Sequence, residues 1–359
     1  MGGNKKIDVQ SLRATLARRL VDIAKRYGMS REDIARSSRL PVSVVEGYFR
    51  GKREIYFPEL SSICQTLGTD VLWITSKNYQ SSRLAYRGVS EAAKKSAEGI
   101  EHAISLVLDL FQKSSRPRVE PIGESIDDAK LLLMEVDKRA GEFRERFHTI
   151  QSLFECHQIN LLGVSEQTFD GFMLALGKYC FIVADKSRPT VRLTFTLLHE
   201  FAHFVFDIDK PIPVDENLFA LSRRVFSEKI GQESRAEFIA NKFAQCYLVP
   251  VREAAAWLKT KHPERQAGEY AHEHKISPEV TVNAYLDAAR MSGKRLDYLQ
   301  TLDEAKRWAG NYAGDESIRE FVQNASKSLS ESLNHQCHDY GDEQWQLVSS
   351  VFGANATCH

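Results

Sequence analysis

The sequence predicts an α+β fold that is mostly α, and three observations carry that expectation. Apolar residues recur at helical spacing through residues 10 to 77, 88 to 113 and 126 to 155. Only three short runs, at 159 to 164, 171 to 176 and 179 to 184, have strand character, and Gly177-Lys178 joins the last two as a tight turn. Two apolar helices follow, at 193 to 206 and 233 to 247, with Pro189 ahead of the first and Val249-Pro250 closing the second.

A length of 359 residues predicts two or three domains, and 43% hydrophobic with 27% charged residues suits buried cores under a charged surface. Residues 1 to 77 form the expected first domain, all α. Residues 78 to 122 are a helical connector and linker, the linker running from Lys113 to Gly123 with two prolines and two serines. Residues 123 to 290 form a second domain with the small sheet. Residues 291 to 359 are a polar, helical extension with no role assigned. The apolar face between Ala92 and Phe111 is either a homodimer seam or, the commoner case, packed on its own domain. It lacks the heptads of a coiled coil.

Lys+Arg and Asp+Glu both number 48, so the whole chain is formally neutral. Residues 1 to 54, however, hold thirteen Lys/Arg against six Asp/Glu, an excess that suits an anionic partner such as DNA. No apolar run approaches the ~18 residues of a membrane span. Met1-Gly2-Gly3-Asn4-Lys5-Lys6 leads into an amphipathic segment rather than a secretory signal. The six cysteines are scattered without a C-x-x-C pair and read as reduced thiols. The expectation is a cytoplasmic protein with no membrane partner.

The segment Thr196-Leu197-Leu198-His199-Glu200-Phe201-Ala202-His203 holds the pattern H-E-x-x-H inside an apolar helix. Residues four apart share one helix face, so His199 and His203 can aim two imidazoles at one ion. Neutral imidazole is a zinc ligand, and the adjoining Glu200 is placed as a general base toward water activated there. Unpartnered imidazoles among apolar flanks would be costly, which argues against accident. A hydrolytic zinc site needs a third protein ligand and an open fourth position. Glu237 is the best candidate, with Glu233 its nearest competitor. The small Ala240 would let the two helices approach closely. Asn241, one turn beyond Glu237, could fix the tautomer of a ligand histidine. Arg192 and Tyr247 are unranked candidates for stabilising an oxyanion.

Residues 140 to 290 resemble the ImmA/IrrE family of zinc metallopeptidases. The likeness rests on Leu153-Phe154-Glu155 before the strand at Ile159, Asp170-Gly171-Phe172 opening the hairpin, and Arg192 through His203, which matches R-x-x-F-T-L-x-H-E-x-x-H. Glu237-Phe238-Ile239-Ala240-Asn241-Lys242-Phe243-Ala244 matches E-x-x-A-N-x-F-A, with Leu248-Val249-Pro250 and the segment from Ala271 to Pro278 after it. The resemblance implies a zincin-like domain with zinc ligands His199, His203 and Glu237 and Glu200 as general base. It further implies a protein substrate, such as a helix-turn-helix repressor controlling stress, mobile-element or defence genes.

Residues 11 to 75 resemble a helix-turn-helix domain of the Cro/repressor (XRE) type. Arg31 to Ala35 would open the motif, Leu40 would fill the apolar turn position, and Val45 and Tyr48 would anchor the recognition helix. Arg39 stands where a turn glycine is usual. The recognition surface, Val42, Ser43, Glu46 and Gly47, has none of the Arg, Lys, Asn or Gln that commonly read bases. Ser43, Arg50, Lys52 and Arg53 are the candidate DNA contacts, the last three to phosphate. The module therefore binds DNA or docks a protein. The leading expectation is a zinc endopeptidase. Its rival is a DNA-binding regulator or antitoxin-like controller whose peptidase fold senses a ligand or is silent. His262, His272 and His274 read as surface residues. His335, Cys337, His338, Cys358 and His359 fit no zinc module and read as a solvated tail.

Overall fold

The N-terminal helices are α1 (Val9–Arg26), α2 (Arg31–Ser38), α3 (Val42–Phe49), α4 (Phe57–Thr66) and α5 (Val71–Thr75). The computed structural model describes residues 9–26, 29–67, 71–75, 84–85, 91–115, 117, 119, 122, 126, 128–165, 169–176, 178–206, 212–213, 232–310, 314–335 and 342–353. Ser30 starts α2 with a capping box: its hydroxyl accepts from the Asp33 amide at 3.1 Å and the Asp33 carboxylate accepts from the Ser30 amide. Arg39 ends α2 in the left-handed region, at φ 56° and ψ 34°, so the turn forms there without a glycine. Leu20, Ile34, Val45, Leu60 and Ile63 fill the core of this unit.

The middle of the chain carries β1 (Leu84–Ala85), α6 (Glu91–Leu106), α7 (Ala129–Arg146), α8 (Ile150–Cys156), β2 (Asn160–Val164), β3 (Gly171–Leu176), β4 (Tyr179–Asp185) and α9 (Thr190–Phe206). Beyond it lie β5 (Ile212–Pro213), α10 (Gln232–Leu248), α11 (Val251–Trp257), α12 (Pro263–Glu273), α13 (Pro278–Met291), α14 (Tyr298–Ala309), α15 (Glu316–His335) and α16 (Asp342–Phe352). The fold is thus α+β and mostly α. Its larger sheet has strand order β2-β4-β3, with β2 parallel and β3 antiparallel to β4. Leu84 of β1 pairs with Ile212 of β5 in a separate two-stranded parallel ribbon.

Both faces of the larger sheet are covered, which is why its strands read as unbroken apolar runs. Met173, Ala175, Cys180, Ile182 and Ala184 face one core, shared with Leu197 and Phe201 of α9 and Phe238 and Phe243 of α10. Phe172, Leu174, Phe181 and Val183 face the other, shared with Ile100 and Ile104 of α6, Leu333 of α15 and Trp345 of α16. Helices from the 78–122 and 291–359 segments therefore form the second layer on the sheet that carries α9 on its first.

Gly163 sets how close α15 comes. The Ser326 hydroxyl accepts from the Gly163 amide at 3.1 Å and donates to its carbonyl at 2.9 Å. A Cβ on Gly163 would lie 2.5 Å from that hydroxyl and 2.6 Å from Val322 Cγ1. Gly163→Val is expected to destabilise the protein by about 3 kcal/mol, as overpacking does. The denaturation midpoint reads this, and an unchanged midpoint would mean that α15 moves off β2 at no cost. The same helix braces the start of α9: Arg319 donates to the Thr190 hydroxyl at 2.9 Å, and that hydroxyl donates to Glu316 at 3.3 Å.

Candidate metal centre

Helix α9 begins just after Pro189 and is buried along almost its whole length, including the polar residues His199, Glu200 and His203. The four-residue spacing puts both imidazoles on one side, with Nε2 atoms 3.1 Å apart. Helix α10, whose Ala240 and Ala244 are fully buried in the core it shares with α9, delivers Glu237 to the same point. Its carboxylate oxygens lie 3.3 Å from His199 Nε2 and 3.2 Å from His203 Nε2. The three ligand atoms fall within 4.8 Å of one another, so this buried group can hold a metal ion.

The separations test the fit. Donors 2.0–2.1 Å from a tetrahedral zinc lie ~3.3–3.4 Å from each other, and the observed 3.1 to 3.3 Å nearly matches that edge. Asn241 sets the tautomer: His199 Nδ1 lies 3.2 Å from Asn241 Oδ1, an acceptor, so Nδ1 carries the proton and Nε2 presents its lone pair. Burial opposes ionisation of Glu237, but positive charge and hydrogen bonds from protonated His203 and His199 outweigh it and hold the carboxyl well below the usual range, and a bound cation would supply that charge in place of their protons. The third donor is therefore a carboxylate, as a ligand must be. The side chain of Glu233, the competing candidate, lies outside the described residues.

Glu200 is fully buried beside these donors. It lies close enough to Cys180 of β4 for its charge to add to the burial that pushes the Cys180 thiol well above its ordinary pKa. The two oxyanion candidates are engaged elsewhere. The Tyr247 hydroxyl donates to the Phe147 carbonyl at 2.9 Å, and burial pushes its pKa up to about 12. Arg192 donates through Nε to the fully buried Asp170 at 2.8 Å, and Arg188 Nε lies 2.9 Å from the same carboxylate and 3.1 Å from Asp185. This cluster ties the start of α9 to the start of β3, and sequence reasoning missed the pairing. Burial pushes the Asp170 pKa up, against Arg192 and Arg188.

Behind α9, His157 sits among the rings of Phe143, Phe147, Phe201 and Phe204, its Nδ1 on the Ser115 carbonyl at 3.0 Å. Burial, with help from Arg146, lowers its pKa against the pull of that carbonyl. The unfolded chain then binds a proton more readily than the folded one, so the stabilisation is full above the unfolded value near 6.5 and is lost as pH falls below it. His157→Phe is expected to flatten the stability-versus-pH curve below that pH, as read by urea melts. An unchanged slope would mean that His157 is not the group involved.

Ser43, Arg50 and Lys52 are exposed at and just after α3. Arg50 pairs with Glu46 at 3.3 Å. Arg53 is bound bidentately by Glu59, at 2.6 and 2.5 Å, beneath the ring of Tyr48. His262, His272, His274 and His335 are exposed, whereas Cys337, His338, Cys358 and His359 lie outside the described residues. Among the described residues no helix is long and apolar enough to cross a membrane.

No protein-family profile and no curated protein matches the chain. Among solved structures, the apo form of the competence regulator ComR from Streptococcus vestibularis aligns over 88% of this chain and 98% of that chain, at 12% identity and a TM-score of 0.18. So distant a likeness carries no argument.

Proposed function

We propose that the chain is a zinc-dependent endopeptidase of the cytoplasm, as its resemblance to the ImmA/IrrE family implies, acting on a regulatory protein such as a helix-turn-helix repressor. The observation that carries the reading is the convergence of His199, His203 and Glu237 at the edge length of a tetrahedral zinc site, with Glu200 buried beside them. Zinc, when bound, supplies Lewis-acid polarisation of the scissile carbonyl and acidifies water. In this reading Glu200 takes the proton of the attacking water on a carboxylate oxygen and returns it to the leaving amide nitrogen. Asn241 holds the His199 ring in its ligating tautomer. Thiols rather than disulfides at Cys64, Cys156, Cys180 and Cys246 suit a reducing compartment.

The helix-turn-helix unit, in the same proposal, docks the protein substrate instead of reading bases. Glu59 already occupies Arg53, and Glu46 pairs with Arg50. The α3 surface is otherwise neutral, and Tyr56 and Phe57 beside it are 59% and 63% exposed. DNA binding remains the rival role, favoured by the positive charge of residues 1 to 54.

The experiment compares new protein N-termini in cells expressing wild type and Glu200→Gln, with DNA occupancy recorded for both. One or a few termini seen with wild type alone are expected, together with their complete loss in Glu200→Gln. Finding no such terminus while both versions occupy the same DNA sites would hand the protein to the regulator reading.

A further inference from the structure

Helix α10 has a second populated end. Ten residues beyond Glu237, roughly 15 Å along the axis, the ends of α7, α10 and α12 and the start of α11 enclose an open cleft of about 550 Å³. That volume is typical of small-ligand sites. It is far enough along the helix to be separate from the metal donors.

The lining has two chemistries. Phe147, Leu248 and the ring of Tyr270 form an apolar side. The Tyr270 hydroxyl donates to the Leu248 carbonyl at 3.1 Å, which fixes the ring, and His274 lies against it with centroids 3.9 Å apart. Arg144 and Arg252 bring two guanidiniums to the lining, and His148 and His274 bring two imidazole rings. The single lining carboxylate, Glu253, lies 3.9 Å from Arg252. One acid thus faces two guanidiniums and two imidazoles.

Arg144 is held in place with donors to spare. Its Nη1 donates to the carbonyls of Cys246 and Tyr247, at 2.7 and 3.3 Å, at the last turn of α10. Among the described residues it makes no other hydrogen bond, so the N–H groups on Nε and Nη2 remain for a ligand. A fixed guanidinium with a free edge is suited to a planar carboxylate or a phosphate. The rings of His148 and His274 likewise make no hydrogen bond among the described residues.

We propose that this cleft is a binding site for a small organic anion, its carboxylate or phosphate held between Arg144 and Arg252 and its apolar body packed against the side formed by Phe147, Leu248 and Tyr270. Arg144 and Tyr270 are pre-set by bonds to the backbone of α10, so the ordering that accompanies binding falls mainly on the exposed Arg252. This binding does not depend on the peptidase reading.

The test uses the full chain and four probes at fixed ionic strength: benzoate, phenyl phosphate, inorganic phosphate and benzyl alcohol. Calorimetry or ligand-detected NMR follows binding to wild type and Arg252→Gln; the Arg252 side chain is exposed, so the fold is retained. The expected result is saturable binding of at least one ring-bearing anion with Kd ~1 mM or below, weakened about ten-fold in Arg252→Gln, as expected for a lost charged hydrogen bond. The tighter of benzoate and phenyl phosphate then identifies the head group. Four results would each overturn the proposal: no saturation by either ring-bearing anion, equal affinity for benzyl alcohol, equal affinity for inorganic phosphate, or undiminished binding in Arg252→Gln.

Discussion

Glu237→Ala is expected to abolish stoichiometric zinc binding and, with it, the peptide-bond cleavage proposed for this site. Three donors from two helices make the site, and α10 supplies the only anionic one of the three. Without it, two neutral imidazoles 3.1 Å apart remain in a buried space. Asn241→Ala leaves all three donors present but removes the acceptor that holds the His199 ring, and should weaken zinc by about 10- to 100-fold. Competition with a chromophoric chelator measures both. Zinc at ~1,000 times its Kd should also raise wild-type stability by about 4 kcal/mol, an increment that Glu237→Ala forfeits. If Glu237→Ala kept one zinc per chain at wild-type affinity, the assignment of the third ligand would fall. If it lost zinc but kept cleavage, the metal would be structural.

The second large effect concerns what holds α10 in place. Lys242, next to Asn241, is 3% exposed and pairs with Asp287 of α13, which is 2% exposed, at 2.5 Å. Gln245 joins them, accepting from Lys242 at 2.9 Å and donating to Asp287 at 2.9 Å. Asp287→Ala would remove the carboxylate that pairs with this buried ammonium. The expected loss is about 3–5 kcal/mol, a large share of a domain's stability. The paired change Lys242→Met with Asp287→Leu removes both charges and should recover most of that loss. Chemical denaturation of the single and double variants decides it. A double variant as unstable as the single one would show that the network acts through shape rather than charge. Zinc affinity measured on the same proteins tells whether α10 shifts when it loses this anchor.

Much of this molecule was legible locally. The period of apolar residues marked the main helices and the three strands of the larger sheet, because each element must turn one or two faces to a core, but it did not mark the two-residue strands β1 and β5. The spacing of His199 and His203 followed from helix geometry alone. Residue chemistry without the family resemblance left Glu237 and Glu233 both open, since nothing within α10 says which acid faces α9. The helix ends were less exact. The helical stretch at 126 to 155 is broken in the structure, where Phe147 ends α7 and Thr149 caps α8.

Other features belong to distance in space, and no local pattern announced them. Arg192 meets Asp170 across 22 residues, Lys242 meets Asp287 across 45, and Ser326 meets Gly163 across 163. The extension after residue 291 read as a polar helical tail, yet α15 and α16 cover the back of the sheet. An amphipathic pattern states which face of a helix is buried but not what buries it. Arg53 shows the same limit: its place after the recognition helix suggested a phosphate contact, but only the packed fold reveals that Glu59 already holds it. The periodic burial of each element and the type of each side chain are written in sequence order. Partners across the core are fixed only when the chain closes on itself, because charge pairing and close packing depend on distances that the order of residues does not contain.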